Sequence, residues 1–224
     1  METKRLDFSR QHLLINDEII KEPIIHIFGI GSVGSILTYT MSKVGFKKFV
    51  VYDYDKVEQA NIPTQIYGIS DEGKLKTEAL KEFILKQTGI IIETRNKRII
   101  NGNNLFIQPQ DVIISCFDNM GGRRLLFNKA KENGNLFIDT RIGKFFIEYF
   151  FIDTTDKVER EKYKKLLFNE NEVVDLKCGE KACFLSNAEL SSRVTMNLIK
   201  YLEHKPYNKQ YYGNIENHTT DIVC

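Results

Sequence analysis

Apolar positions along this chain follow two different spacings, and the switches between them outline its elements. Residues 24–28, IIHIF, form a short apolar run after Pro23, which predicts a buried strand. Residues 32–44, SVGSILTYTMSKV, place Val33, Ile36, Leu37, Met41 and Val44 at helical spacing, and Gly45 supplies the stop. KKFVVY at 47–52 predicts a second strand, leading into Asp53. DEGKLKTEALKEFILKQTG, 71–89, returns to the helical period and closes on a glycine. Further strands are expected at 90–93 (IIIE), 111–115 (DVIIS) and 135–140 (NLFIDT), with a helix over 118–134 before the last. Strands alternating with helices predict an α/β fold, a Rossmann-like, mostly parallel sheet with helices on both faces.

The pattern changes after residue 140. GKFFIEYFFID, 143–153, is strand-like and follows a strand with no helix between, so an antiparallel addition in the C-terminal half is expected. A charged helix is predicted over about 156–167, a loop across 169–180, and a last strong helix over 187–204. From Lys205 the chain is polar, with three tyrosines and no period. The expected organisation is one domain over 1–204 and a C-terminal extension over 205–224. A chain of 224 residues is long enough for one α/β domain with a full core.

Charge and cysteines narrow the classes. A net charge of +2 gives no strong pull toward nucleic acid or a membrane surface. No apolar run is long enough for a bilayer, and METKRLDFSR at the start has no apolar signal core. Cys116, Cys178, Cys183 and Cys224 do not make a disulfide framework, and the single C-x4-C spacing is too little for structural zinc. A reducing, cytoplasmic setting is expected.

HIFGIGSVGSIL, 26–37, carries Gly29, Gly31 and Gly34 as G-x-G-x-x-G between a strand and a helix. Gly29 permits a tight turn, Gly31 lets backbone approach phosphate oxygens, and Gly34 lets helix and strand pack closely. The helix N-terminus offers free N–H groups to an anion. Asp53, at the end of the next strand, is placed to accept from ribose hydroxyls. The bland alternative is ordinary strand–helix packing. Whether the nucleotide is NAD or ATP stays open on these residues. A dehydrogenase needs an acid/base group in the second half, yet His12 and His26 precede the turn and His204 and His218 lie near the end.

VVYDYDKVEQANIPTQIY, 50–67, contains D-x-D-x-V followed by N-x-x-x-Q. With SRQ at 9–11, GKLK at 73–76 and SCFDN at 115–119, it resembles the adenylation domain shared by ThiF/MoeB/HesA proteins and ubiquitin-activating enzymes. The resemblance implies ATP with Mg²⁺. It assigns Gly29, Gly31 and Gly34 to the nucleotide turn, and Asp53 and Asp55 to nucleotide binding. Asn61, Gln65 and Lys76 would line the triphosphate and the attacking carboxylate. Asp118 would hold Mg²⁺, with Asn119 opening the helix behind it. Arg10 would reach the triphosphate, from the neighbouring subunit in homodimeric relatives. The implied reaction is adenylation of a carboxylate, the C-terminal glycine of a small ubiquitin-like or sulfur-carrier protein, by a homodimer with no nucleic-acid partner. Rival readings are adenylation of a small-molecule or peptide carboxylate, an NAD(P)-binding oxidoreductase, and a non-catalytic ATP- or carrier-binding module.

Ser115 stands where the family's D-x-x-D-N segment has its first acid, and one further departure matters more. Ile62, Pro63 and Thr64 fill the stretch where relatives often carry a second arginine, so that cation either comes from Lys74 or Arg141 or is missing. In ThiF-like proteins a cysteine just before the last helix can accept the activated acyl group. Cys178 holds that place beside Lys177 and Lys181, whose charges favour a thiolate, with a packing role as the alternative. Cys183 reads as core, Cys116 as structural, and Cys224 has no assigned role. Arg123 and Arg124, in GGRRLL, are expected on a solvated helix face, with contact to substrate or a dimer partner as the sharper alternative.

Overall fold

A computed structural model describes residues 6–11, 13–102, 105–167 and 183–223. Five strands run parallel: β1 (Ile24–Phe28), β2 (Lys48–Asp53), β3 (Glu93–Asn96), β4 (Val112–Ser115) and β5 (Leu136–Gly143). Three more, β6 (Phe146–Asp153), β7 (Gln210–Asn214) and β8 (Thr219–Val223), extend the sheet antiparallel. The spatial order is β3-β2-β1-β4-β5-β6-β7-β8.

The sheet therefore grows one way from β1 and the other way from β4. Right-handed crossovers then require helices on opposite faces. A short helix, α1 (Asp17–Lys21), precedes β1; α2 (Ser32–Val44) and α3 (Lys76–Thr88) follow β1 and β2. Their Leu37, Met41, Leu80 and Ile84 share one core with Val194 and Leu198 from a later helix. On the other face α4 (Met120–Asn133) and α5 (Lys157–Lys164) supply Leu126, Phe127 and Tyr163 to a second core. That later helix, α6 (Phe184–Leu202), lies against α2. Between β1 and β4 the winding reverses, and the carboxyl ends of these strands leave a crevice where ligands of open α/β sheets bind.

Several boundaries differ from the sequence pattern. The third strand is Glu93–Asn96 rather than 90–93; in the isoleucine run Ile92 is buried, Ile90 packs partly buried against the core and Ile91 is exposed. The helix expected within 71–89 starts at Lys76, preceded by a 3-10 turn over Ile69–Asp71. The helix expected from 118 starts at Met120 with Asn119 as N-cap, and the last helix begins at Phe184, one turn earlier than 187. The stretch after Lys205 forms β7 and β8. Its only fully buried tyrosine, Tyr211, stacks on Tyr149 of β6 at 5.3 Å, and every residue of β8 is exposed. Among the described residues, no helix is long and apolar enough to cross a membrane.

Candidate active site

The glycine turn sits at the mouth of the crevice. Gly29 has φ +85°, a conformation glycine adopts without strain. At Gly34 an added Cβ would lie 1.9 Å from the Gly29 carbonyl oxygen, so only glycine fits. Gly31 is the N-cap of α2, with no side chain capping the helix and no acid in its first turn. That leaves N–H groups and the positive end of the helix dipole for an anion. Asp53 reaches the turn directly: one carboxylate oxygen accepts from Ile30 N (2.9 Å) and the other from Asp55 N (2.9 Å).

The segment after Asp53 folds back over this turn. Tyr67 donates its hydroxyl to the Ile30 carbonyl (2.7 Å), and Ile66 N donates to Ser35 Oγ (3.3 Å). Asn187, buried at the start of α6, donates to the Thr64 carbonyl (2.8 Å). These bonds hold Gln65 beside the turn, its Nε2 3.9 Å from where a Cβ on Gly31 would stand. Gln65 Oε1 is buried without a hydrogen-bond partner. Such an atom is costly in a protein alone and fits a group that arrives with a ligand. Asn61 accepts from Glu58 N (3.1 Å) through Oδ1. Lys76 is buried, and its ammonium lies 3.3 Å from the Asp55 carboxylate. The Lys76 N–H also donates to the Asp55 carbonyl (2.9 Å), so the first residue of α3 is tied to the end of β2.

Asp118 stands across the crevice, beyond the end of β4. Its exposed carboxylate accepts a long hydrogen bond from the Asn119 amide (3.4 Å) and belongs to no salt bridge among the described residues. Asn119, not Asp118, caps α4, accepting from Gly122 N (2.7 Å). Asp118 thus offers oxygens to a hard cation. Mg²⁺ is commonly held by one or two carboxylates together with phosphate oxygens, so this donor set fits a metal that comes with a nucleotide. Among the described residues no cluster of three or more His, Cys, Asp or Glu could hold a metal by itself.

Other predicted residues are placed elsewhere. Arg10 is exposed in a turn beside the far end of α2, where neighbouring Gln11 donates to the Val44 carbonyl (2.9 Å). A 13-residue helix is about 20 Å long, so Arg10 stands roughly that far from the glycine turn of its own chain. Lys74 pairs with Asp71 (3.1 Å) and Glu82 (2.7 Å). Arg141 pairs with Asp139 (2.7 Å) and lies 4.7 Å over the Phe150 ring. Cys178 lies outside the described residues. Cys183 is not a core residue: it is half-buried and caps α6, with Ser186 N donating to its sulfur at 3.5 Å. Cys116 is half-buried, and desolvation pushes its thiol up to about 12.

Arg123 corrects the expectation of a solvated face. It is buried, paired with the fully buried Asp139 and donating to the Thr140 (2.9 Å) and Phe117 carbonyls. Neither this pair nor Ser35, Tyr67 and Asn187 stood out in the sequence. A small polar residue inside an otherwise apolar helical face was the available signal for Ser35.

Fold and site together define a Rossmann-like α/β protein whose glycine turn after β1 is met by the Asp53 carboxylate and the Gln65 amide. The chain belongs to the ThiF family, whose model matches residues 11–221. It is 28% identical over 145 residues to ubiquitin-like modifier-activating enzyme 5 of Drosophila mojavensis, covering 58% of this chain and 36% of that protein. The same enzyme from Branchiostoma floridae is 26% identical over 157 residues, covering 63% and 38%. The chain thus spans little more than a third of the length of these relatives. Among solved structures, E. coli MccB with ATP superposes with a TM-score of 0.79 at 16% identity, covering 99% of this chain and 72% of that one. PaaA gives 0.72 at 18% identity, covering 96% and 77%.

Proposed function

We propose that this chain binds ATP with Mg²⁺ and adenylates a carboxylate, the C-terminal glycine of a small ubiquitin-like or sulfur-carrier protein. The observation that supports this reading is the glycine turn Gly29–Gly34 with Gln65, whose Oε1 is buried and unpartnered, against one side and the Cys116–Phe117 stretch leading into Asp118 against the other. Membership of the ThiF family and the likeness to ubiquitin-like modifier-activating enzyme 5 support it.

In this reading a carboxylate oxygen attacks the α-phosphorus of ATP. The bond from that phosphorus to the bridging oxygen breaks, and pyrophosphate leaves. The attacking carboxylate is ionised at neutral pH, so no general base is required. The barrier lies in alignment and charge crowding, which fixed donors and cations lower. The N-terminus of α2 and the Lys76 ammonium face the phosphates. Asn61 and Gln65 orient them with the incoming carboxylate, and Asp53 and Asp55 hold the nucleoside side. Asp118 would hold Mg²⁺, which when bound neutralises charge on the leaving pyrophosphate. Arg10 serves the crevice of a second copy, which makes the working unit a homodimer. Cys178 is the proposed acceptor if the acyl group moves on to a thiol.

The test is exchange of labelled pyrophosphate into ATP, dependent on an added carrier ending in glycine. Carrier-dependent exchange is the expected result. Exchange that needs a small-molecule or peptide carboxylate instead moves the substrate class, and binding of NAD without ATP overturns the reading.

A further inference from the structure

The stretch just before Asp118 is held from three sides. Arg123 supplies one: its Nη1 donates to the Asp139 carboxylate and to the Thr140 carbonyl, both on β5, while Nη2 donates to the Phe117 carbonyl. That carbonyl belongs to the peptide joining Phe117 to Asp118. Asp139 accepts as well from Arg141 Nε (2.7 Å) and Tyr163 Oη (2.9 Å), so its carboxylate is committed to holding these groups. Gly122 supplies the second side, since a Cβ there would come 2.5 Å from the Phe117 ring. The nucleotide turn is the third: a Cβ on Gly29 would lie 3.0 Å from the Cys116 carbonyl oxygen. Residues 116–118 are therefore wedged between the glycine turn and the first turn of α4, with a buried guanidinium fastened to the last peptide.

We propose that Arg123, held by Asp139, is a positioning residue that aims the Asp118 carboxylate at the metal–nucleotide crevice. This rests on the adenylation reading above. The planar guanidinium bonds acceptors on β5 and on the loop at once, so the loop takes its position from the sheet. A lysine keeps the charge against Asp139 but is a point donor on a flexible stem and cannot hold that plane.

The test uses the full chain carrying Arg123→Lys, with Gly122→Ala as an independent disturbance of the same loop. Three quantities are read. They are hydrogen exchange across 116–121 without nucleotide, Mn²⁺ binding by electron paramagnetic resonance with the ATP analogue AMPCPP, and ATP affinity without metal. The expected result for Arg123→Lys is several-fold faster exchange confined to that stretch, Mn²⁺ affinity weakened about tenfold or more, and unchanged metal-free ATP affinity. A melting temperature that falls while Mn²⁺ affinity of the folded protein stays at the wild-type value would show a merely structural role and overturn the proposal. Should Arg123→Lys fail to fold, Gly122→Ala decides by the same measurements. Wild-type protein that binds neither ATP nor Mn²⁺ overturns the adenylation reading and the positioning role together. Wild-type binding of both, with the variant unchanged, overturns the positioning role alone.

Discussion

Asp118 shows how much depends on one position. An aspartate just ahead of a helix can serve as its cap or as a metal ligand. The structure gives the cap to Asn119, which leaves the Asp118 carboxylate exposed. Asp118→Asn should therefore fold with a near-normal melting temperature. Its pyrophosphate exchange should drop on the order of a hundredfold or more, with a higher Mg²⁺ requirement for the remainder, because an amide carries no charge for the cation. Near-normal exchange at ordinary Mg²⁺ would remove the metal ligand from the mechanism. The placement of Gly29, Gly31, Gly34, Asp53 and Asp118 was legible in sequence because each lies close to a strand end, where spacing along the chain is spacing in space. Arg123 and Asp139 were not. Their partnership spans 16 positions and depends on which face of β5 Asp139 occupies.

At the scale of elements, β7 and β8 are the part that periodicity could not announce. A strand shows alternation only when one face is buried, and β8 is exposed throughout. In β7 the inward places fall to Tyr211 and Gly213, and a glycine carries no apolar signal. The hairpin still matters, because it covers the outer edge of β6 and the Tyr149 ring. Truncation after His204 should lower the melting temperature and promote association, as a long apolar edge strand becomes free to pair with other chains. Thermal melting with light scattering checks this, and an unchanged, monodisperse truncated chain would mean β6 needs no cover. The alternation of β1 to β5 with α2 to α4 was readable for the opposite reason. Of those strands β1, β2, β4 and β5 are mostly buried, whereas β3 has no buried residue and is the one whose bounds the pattern misplaced.

Two properties belong to the whole molecule. The first is a pH response from the centre of the sheet. His26 is buried on β1, with Tyr52 Oη 3.1 Å from Nδ1 and the Asp111 carboxylate 3.1 Å from Nε2. Burial pushes the imidazole below its ordinary 6.5, helped by the charge of Arg95 and opposed by Asp111. The unfolded chain therefore binds more protons between the folded value and 6.5. This contribution to stability is full above 6.5 and drains away as pH falls toward the folded value. Melting temperature should decline on acidification below about 6.5, and His26→Gln should flatten that part of the slope whatever its absolute stability. An equally steep slope in the variant would place the response elsewhere. The second is the sharing of Arg10 between copies proposed above, since Arg10 stands about 20 Å from its own glycine turn, at the opposite end of α2. An Arg10→Ala chain mixed with an Asp118→Asn chain should recover exchange through mixed pairs that each carry one intact crevice. Confirmed subunit exchange without recovery would rule out sharing. A catalyst assembled from two copies obeys mass action. Below the dissociation constant of the pair, output grows with the square of the amount of chain, so halving expression removes about three quarters of the activity. The placement of one arginine would thus give the cell a dosage threshold, with sparse chains idle and abundant ones active.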